Sequence, residues 1–128
     1  MTGVNIIKKL REESGIKSRA EFGRVYGIPV RTLENWESGI NSPADYVVDL
    51  LARAVWNDLT GANVWFHVMY KNTPAGVFEP ALITRSYLNA LALAEKLATD
   101  AAVAELRVYP DDLGDQIPGE NKYDIVTF

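Results

Sequence analysis

The sequence predicts an α+β chain in two parts: four short helices over residues 1–61, then a small β-β-α-β-β unit over residues 62–128. Three observations carry this. Apolar residues recur at three- and four-residue spacing as far as Leu59. Residues 64–71 switch to strict alternation, the period of a strand. Glycines at 15, 27, 39 and 61 fall where each helical run should stop.

The first helix takes its stripe from Ile6, Ile7 and Leu10, with Lys8, Lys9, Glu12 and Glu13 on the wet side and Gly15 as its stop. The second begins at Ser18. Ser18 to Glu21 reads S-R-A-E, a capping box in which serine and glutamate side chains satisfy backbone donors. Phe22 and Tyr26 share its buried face, and Gly27 closes it. Pro29 can open the third helix, because its missing N–H would be unpaired there. Leu33 and Trp36 give that helix a dry side; Val30, Arg31, Thr32 and Asn35 point away from it. Two short helices joined through Gly27 and Ile28 form a helix-turn-helix. A fourth helix is expected from Pro43 to about Leu59, burying Tyr46, Val47, Leu50, Leu51, Ala54 and Val55, and ending at Gly61.

Residues 4–59 resemble the lambda-repressor-like, Xre-type helix-turn-helix family. The matching runs are E-F-G at Glu21–Gly23, Y-G-I-P at Tyr26–Pro29 and T-L-E-N-W-E-S-G at Thr32–Gly39, followed by Pro43. The resemblance implies that the helix from Pro29 to Ser38 enters the major groove of double-stranded DNA. It places Val30, Arg31, Thr32 and Asn35 against base edges. Arg31 would pair with guanine acceptors, Asn35 would bridge adenine or reach a phosphate, and Val30 would touch a thymine methyl. It gives Ser18, Arg19, Ser38 and Asn41 contacts to the phosphate backbone. It also implies a structural ion pair between Arg11 and Glu37, with Trp36 in the core. Ile40 and Ser42 are neutral in the loop after the third helix, so a homodimer is expected for useful affinity.

In the second half, Val64 to Lys71 is a strand and Val77 to Thr84 a second, with Pro80 marking an edge or a bend. Ser86 caps a helix rich in alanine and leucine, expected to reach about Ala101. Ala104 to Tyr109 and Tyr123 to Phe128 complete the strands, separated by an acidic loop over 110–121. The helix should cover one face of an antiparallel or mixed sheet. Trp65 and Met69 are candidates for contact with another surface on the opposite face. This half resembles no family.

Composition narrows the function classes. The chain has 128 residues and no cysteine, which excludes a disulfide framework or thiolate metal site and fits a reducing cytoplasm. No apolar run approaches the length of about 20 residues that a membrane span needs, and residues 1–4 lack the character of a signal peptide. Net charge is -4, carried wholly by residues 61–128; residues 1–60 hold eight basic and eight acidic side chains. His67 is the only histidine and has no partner near it in sequence. Asp111, Asp112, Asp115 and Glu120 lack the spacing of a calcium loop. No catalytic constellation, cofactor motif or metal site is present, so an enzyme is not expected. The expectation is a cytoplasmic, sequence-specific DNA-binding transcriptional regulator, a repressor, of bacterial or phage origin. The alternative is a protein-binding inhibitor, an antitoxin or a phage anti-defence protein of the anti-CRISPR kind. Its work would lie in residues 62–128 and its helix-turn-helix would serve autoregulation.

Overall fold

The computed structural model describes residues 5–61, 63–111 and 126–127. The elements are α1 (Ile6–Ser14), α2 (Arg19–Tyr26), α3 (Val30–Ser38), α4 (Asp45–Thr60), β1 (Trp65–Lys71), β2 (Glu79–Thr84), α5 (Tyr87–Ala98), β3 (Glu105–Asp111) and β4 (Val126–Thr127). The α+β class and the order of elements are as the sequence predicts. Val4, the acidic run Asp112, Asp115 and Glu120, and most of the last expected strand lie outside the described residues.

The helix ends follow from named side chains. Asn5 caps α1 by accepting from the Lys8 N–H at 3.0 Å, and Ser18 caps α2 by accepting from the Glu21 N–H at 3.3 Å. Gly15, Gly27, Gly39 and Gly61 all close their helices in the left-handed conformation, where a side chain would be strained. Two starts differ from expectation. Pro29 stands one residue before α3 as its N-cap, and its carbonyl accepts the Leu33 N–H at 3.1 Å. Likewise α4 begins at Asp45 and not at Pro43, because Ala44 is still extended. The second-half helix stops at Ala98, not Ala101: Thr99 bonds back to the Lys96 carbonyl, and Asp100 accepts from the Ala102 N–H in a local turn.

The sheet is antiparallel throughout, in the order β2-β1-β3-β4. β1 is central and β2 is an edge, with a bulge opposite Val68 and Met69 just where Pro80 enters the strand. Both readings of Pro80, edge and bend, are therefore realised. Strand β2 starts at Glu79, leaving Val77 and Phe78 in the preceding loop. Helix α5 crosses from β2 to β3 over the face that carries Phe66 and Val68. There Phe66 meets the edge of the Tyr87 ring at 5.4 Å between centroids. On the opposite face Trp65 is 44% exposed beneath the Arg85 guanidinium, and Met69 is half-buried. His67 is buried and stacks on Tyr109.

One apolar cluster runs through both halves. Ile7, Leu10, Phe22 and Leu33 join Val48, Ala52 and Val55 of α4, and the cluster continues into Tyr87, Leu91, Phe66 and Val108. Each fully buried leucine or phenylalanine contributes about 1.5–3 kcal/mol over an exposed one. Of the six residues expected in the α4 stripe, Leu51 and Val55 are buried and Val47 and Ala54 half-buried. Val48, Leu51, Ala52, Val55 and Trp56 are buried, whereas Tyr46 is 69% and Leu50 54% exposed. The core draws on the neighbouring stripe because α4 packs against both α1 and α5.

Among the described residues, four hydrogen bonds fasten the halves. The Asp49 carboxylate on α4 accepts from the Ser86 hydroxyl at 2.7 Å and the Leu88 N–H at 3.0 Å, at the start of α5. Buried Tyr87 donates its hydroxyl to Glu13 of α1 at 2.6 Å. Val64 donates its N–H to the Asn57 side chain at 2.9 Å, folding the chain back after Gly61.

Candidate nucleic-acid interface

Helix α3 is placed by what holds its dry side and its ends. Leu33 is fully buried and Trp36 packs on the core from a half-buried position. At its start, the turn from α2 is tight enough that the Gly23 carbonyl accepts the Ile28 N–H at 2.8 Å. A Cβ at Gly23 would fall on the Ile28 carbonyl oxygen, so this position has room for nothing larger. Gly39 finishes the helix with its N–H on the Trp36 carbonyl, and the Ile40 N–H reaches the Asn35 carbonyl at 3.0 Å.

The far end of α3 is bolted to both helices before it. Glu37 has a side chain only 1% exposed. Arg11 binds it with two parallel bonds, Nε to Oε2 at 3.0 Å and Nη2 to Oε1 at 2.8 Å. Arg19 adds an ion pair, Nε to Oε1 at 3.2 Å. The remaining Arg11 nitrogen, Nη1, donates to the Lys17 carbonyl and so fixes the loop before α2. Burial pushes the Glu37 carboxyl up, but the hydrogen bonds from Arg11 and Arg19 outweigh it and hold the group below its ordinary range. Asn5 completes the attachment. While its oxygen caps α1, its side-chain nitrogen donates to the Trp36 and Glu37 carbonyls at 2.9 and 3.2 Å.

On the outward side, Val30 is 43% exposed and Arg31 is exposed, while Thr32 and Asn35 are half-buried beside them. These four share one helical element and lie together. Ser18 and Arg19 stand at the start of α2, and Ser38 and Asn41 at and beyond the end of α3; all four are exposed. Their chemistry differs. Ser18 uses its oxygen as an acceptor, which leaves its O–H free to donate to a phosphate. Ser38 donates its O–H to the Asn35 carbonyl at 3.2 Å, so its only donor is engaged. Arg19 is engaged by Glu37 through Nε, with its side chain 46% exposed. Among the described residues, Lys8, Lys17, Arg31, Arg53, Arg85 and Lys96 carry cations with no acidic partner, whereas Lys9 is paired with Glu13 at 2.6 Å.

The Arg11–Glu37 pair was foreseeable from the sequence, whereas the parts played by Asn5 and Lys17 were not. Asn5 was legible as a helix cap, since an asparagine stands directly before an apolar-periodic run. Its reach across to α3 leaves no local pattern. Lys17 carries no signal beyond its charge.

The model of the helix-turn-helix family matches residues 7–55, from within α1 to within α4. This is the segment that carries the resemblance to lambda-repressor-like proteins, and it is of the kind found in DNA-binding regulators. No curated protein matches the chain. No solved structure matches it either. Among the described residues no helix is long and apolar enough to cross a membrane.

Proposed function

We propose that the chain is a cytoplasmic, sequence-specific DNA-binding transcriptional regulator, a repressor, in which residues 1–61 read DNA. Residues 62–128 hold a second copy or a protein partner. The observation that supports this best is the outward face of α3. Val30, Arg31, Thr32 and Asn35 stand together on a helix whose other side and both ends are fixed to α1 and α2. A rigid helix offering a guanidinium, an amide, a hydroxyl and a methyl-bearing side chain fits the donor, acceptor and methyl pattern of the major groove. Ser18 and Asn41 flank it as phosphate contacts. Ser38 can join them only by giving up its bond to Asn35. No catalytic role is proposed.

Few unpaired cations surround α3, so one copy should bind weakly and two copies should be needed, reading half-sites about 34 Å apart. The test is fluorescence anisotropy of the full chain on DNA from upstream of its own gene, at several salt concentrations. Salt-dependent binding to a discrete site is expected; failure to bind any such fragment would count against the proposal. Arg31→Ala should weaken binding to the cognate site by about 1–3 kcal/mol and relax preference at one base pair.

A second reading, a protein-binding inhibitor or antitoxin that uses the helix-turn-helix for autoregulation, is favoured by the sheet. Among the described residues strand β2 is an edge of the sheet, and Trp65, Ile83 and Val77 are exposed on or beside it. Isothermal titration of a candidate partner into the wild-type chain and Ile83→Asp, with anisotropy on the upstream DNA beside it, would separate the two readings: the inhibitor reading expects partner binding at the sheet edge without dependence on DNA. A partner bound by the first and not by the second supports an inhibitor.

A further inference from the structure

We propose that Arg19 is a positioning residue: it clamps α3 in its DNA-reading orientation through Glu37 and makes no contact with the phosphate backbone. The inference rests on the DNA-binding reading above and reassigns a residue that the family resemblance gave to the phosphate backbone. Arg19 is the first residue of α2, and Glu37 lies in the last turn of α3. The turn through Gly27 and Ile28 fixes the two helices at one end, and the Arg19–Glu37 ion pair links them directly at the other. A helix pair held at both ends has one crossing angle; held at one end, it can splay.

Two features favour the clamp over a phosphate contact. The Glu37 side chain is 1% exposed and that of Arg19 46%, so the carboxylate end of the pair is shielded from water and salt while the guanidinium stays partly solvated. A phosphate at the protein surface competes from a more strongly screened position. Glu37 Oε1 also receives Arg11 Nη2, while Arg11 supports the Lys17 carbonyl with Nη1. Arg11 is therefore fully used and has no free nitrogen with which to take Arg19's place. The carboxylate gathers α1, the loop before α2, α2 itself and α3 at one point.

The experiment compares wild type, Arg19→Ala, Arg19→Lys and Arg19→Gln as full chains, by anisotropy on the upstream fragment and on unrelated duplex DNA. On either DNA, removing one cation that neutralises a phosphate reduces the slope of log affinity against log salt by about 0.9. For a clamp, the slope of Arg19→Ala stays at the wild-type value. Affinity for the cognate site falls by roughly 10-fold, the range of one impaired base contact, and affinity for unrelated DNA is unchanged. Arg19→Lys, which keeps a cation for Glu37, should restore part of the loss. A slope reduced by about 0.9, with cognate and unrelated DNA weakened alike, would overturn the proposal.

A DNA-free arm guards against ambiguity. A thermal double-mutant cycle between Arg19→Gln and Glu37→Gln should show coupling, and the Glu37 carboxyl resonance should titrate at higher pH in Arg19→Ala. Absence of both effects removes the clamp even if DNA binding persists. If wild type binds no DNA while both effects are seen, the DNA reading fails and the clamp stands as a structural contact without that purpose.

Discussion

Glu37 concentrates more of the fold's polar energy than any other side chain of the candidate interface. It is buried, receives two bonds from Arg11 and one ion pair from Arg19, and its backbone carbonyl is held by Asn5. Removing one partner of such a buried pair leaves an uncompensated charge, so Glu37→Gln should destabilise the chain by about 3–5 kcal/mol, read by urea unfolding. The pair also sets an acid limit. The folded-state carboxyl lies below its ordinary 4.5, so the unfolded chain binds more protons in the interval between the two values. Stability from this group is complete above about pH 4.5 and falls as the pH drops through the folded value. Urea midpoints measured between pH 6 and pH 3 should fall less steeply in Glu37→Gln than in wild type. At this scale the sequence was informative where side chains have fixed partners within a motif, as Arg11 and Glu37 do. It was silent where one side chain reaches another by length alone. Arg19 has the charge of a phosphate ligand, and nothing in its neighbours in sequence announces that a carboxylate from residue 37 stands beside it.

Among the elements, the turn between α2 and α3 is the least tolerant. Gly23 is buried under the Ile28 carbonyl, and Leu33 closes on the same spot. Gly23→Ala should cost about 1–3 kcal/mol by overpacking and should weaken DNA binding further, because the turn must open to admit the methyl. Thermal melts alongside anisotropy will show whether binding declines faster than stability. The caps Ser18, Gly15, Gly27, Gly39 and Gly61 were legible from residue type, since each satisfies a local backbone need. Starts were less legible. Pro29 and Pro43 both permit a helix just after them, but the chain bends only where its carbonyls find donors, one or two residues on. The α4 stripe shows why periodicity alone misplaces a face. Tyr46 and Leu50 fit a helical stripe as well as Val48, Ala52 and Val55 do. Only the position of α1 and α5 decides which stripe is covered.

Across the whole molecule, the tie between the helix-turn-helix and the sheet unit depends on few groups. Asp49→Ala would strip the start of α5 of an acceptor for Ser86 and Leu88, at about 0.5–2 kcal/mol for a missing cap. Tyr87→Phe would remove a buried bond to a carboxylate, at about 1.5–3 kcal/mol. Both effects are readable by calorimetry. None of these bonds was visible in sequence, because each spans 37 residues or more. Gly61 turns the chain and Asn57 catches the Val64 N–H, so the change in composition near residue 61 coincides with a stitch. Limited digestion should leave residues 57–61 uncut, and the intact chain should melt in a single step, because one apolar cluster runs through both halves. A molecule that grips the sheet would then turn α3 as a hand turns a key, by its far end.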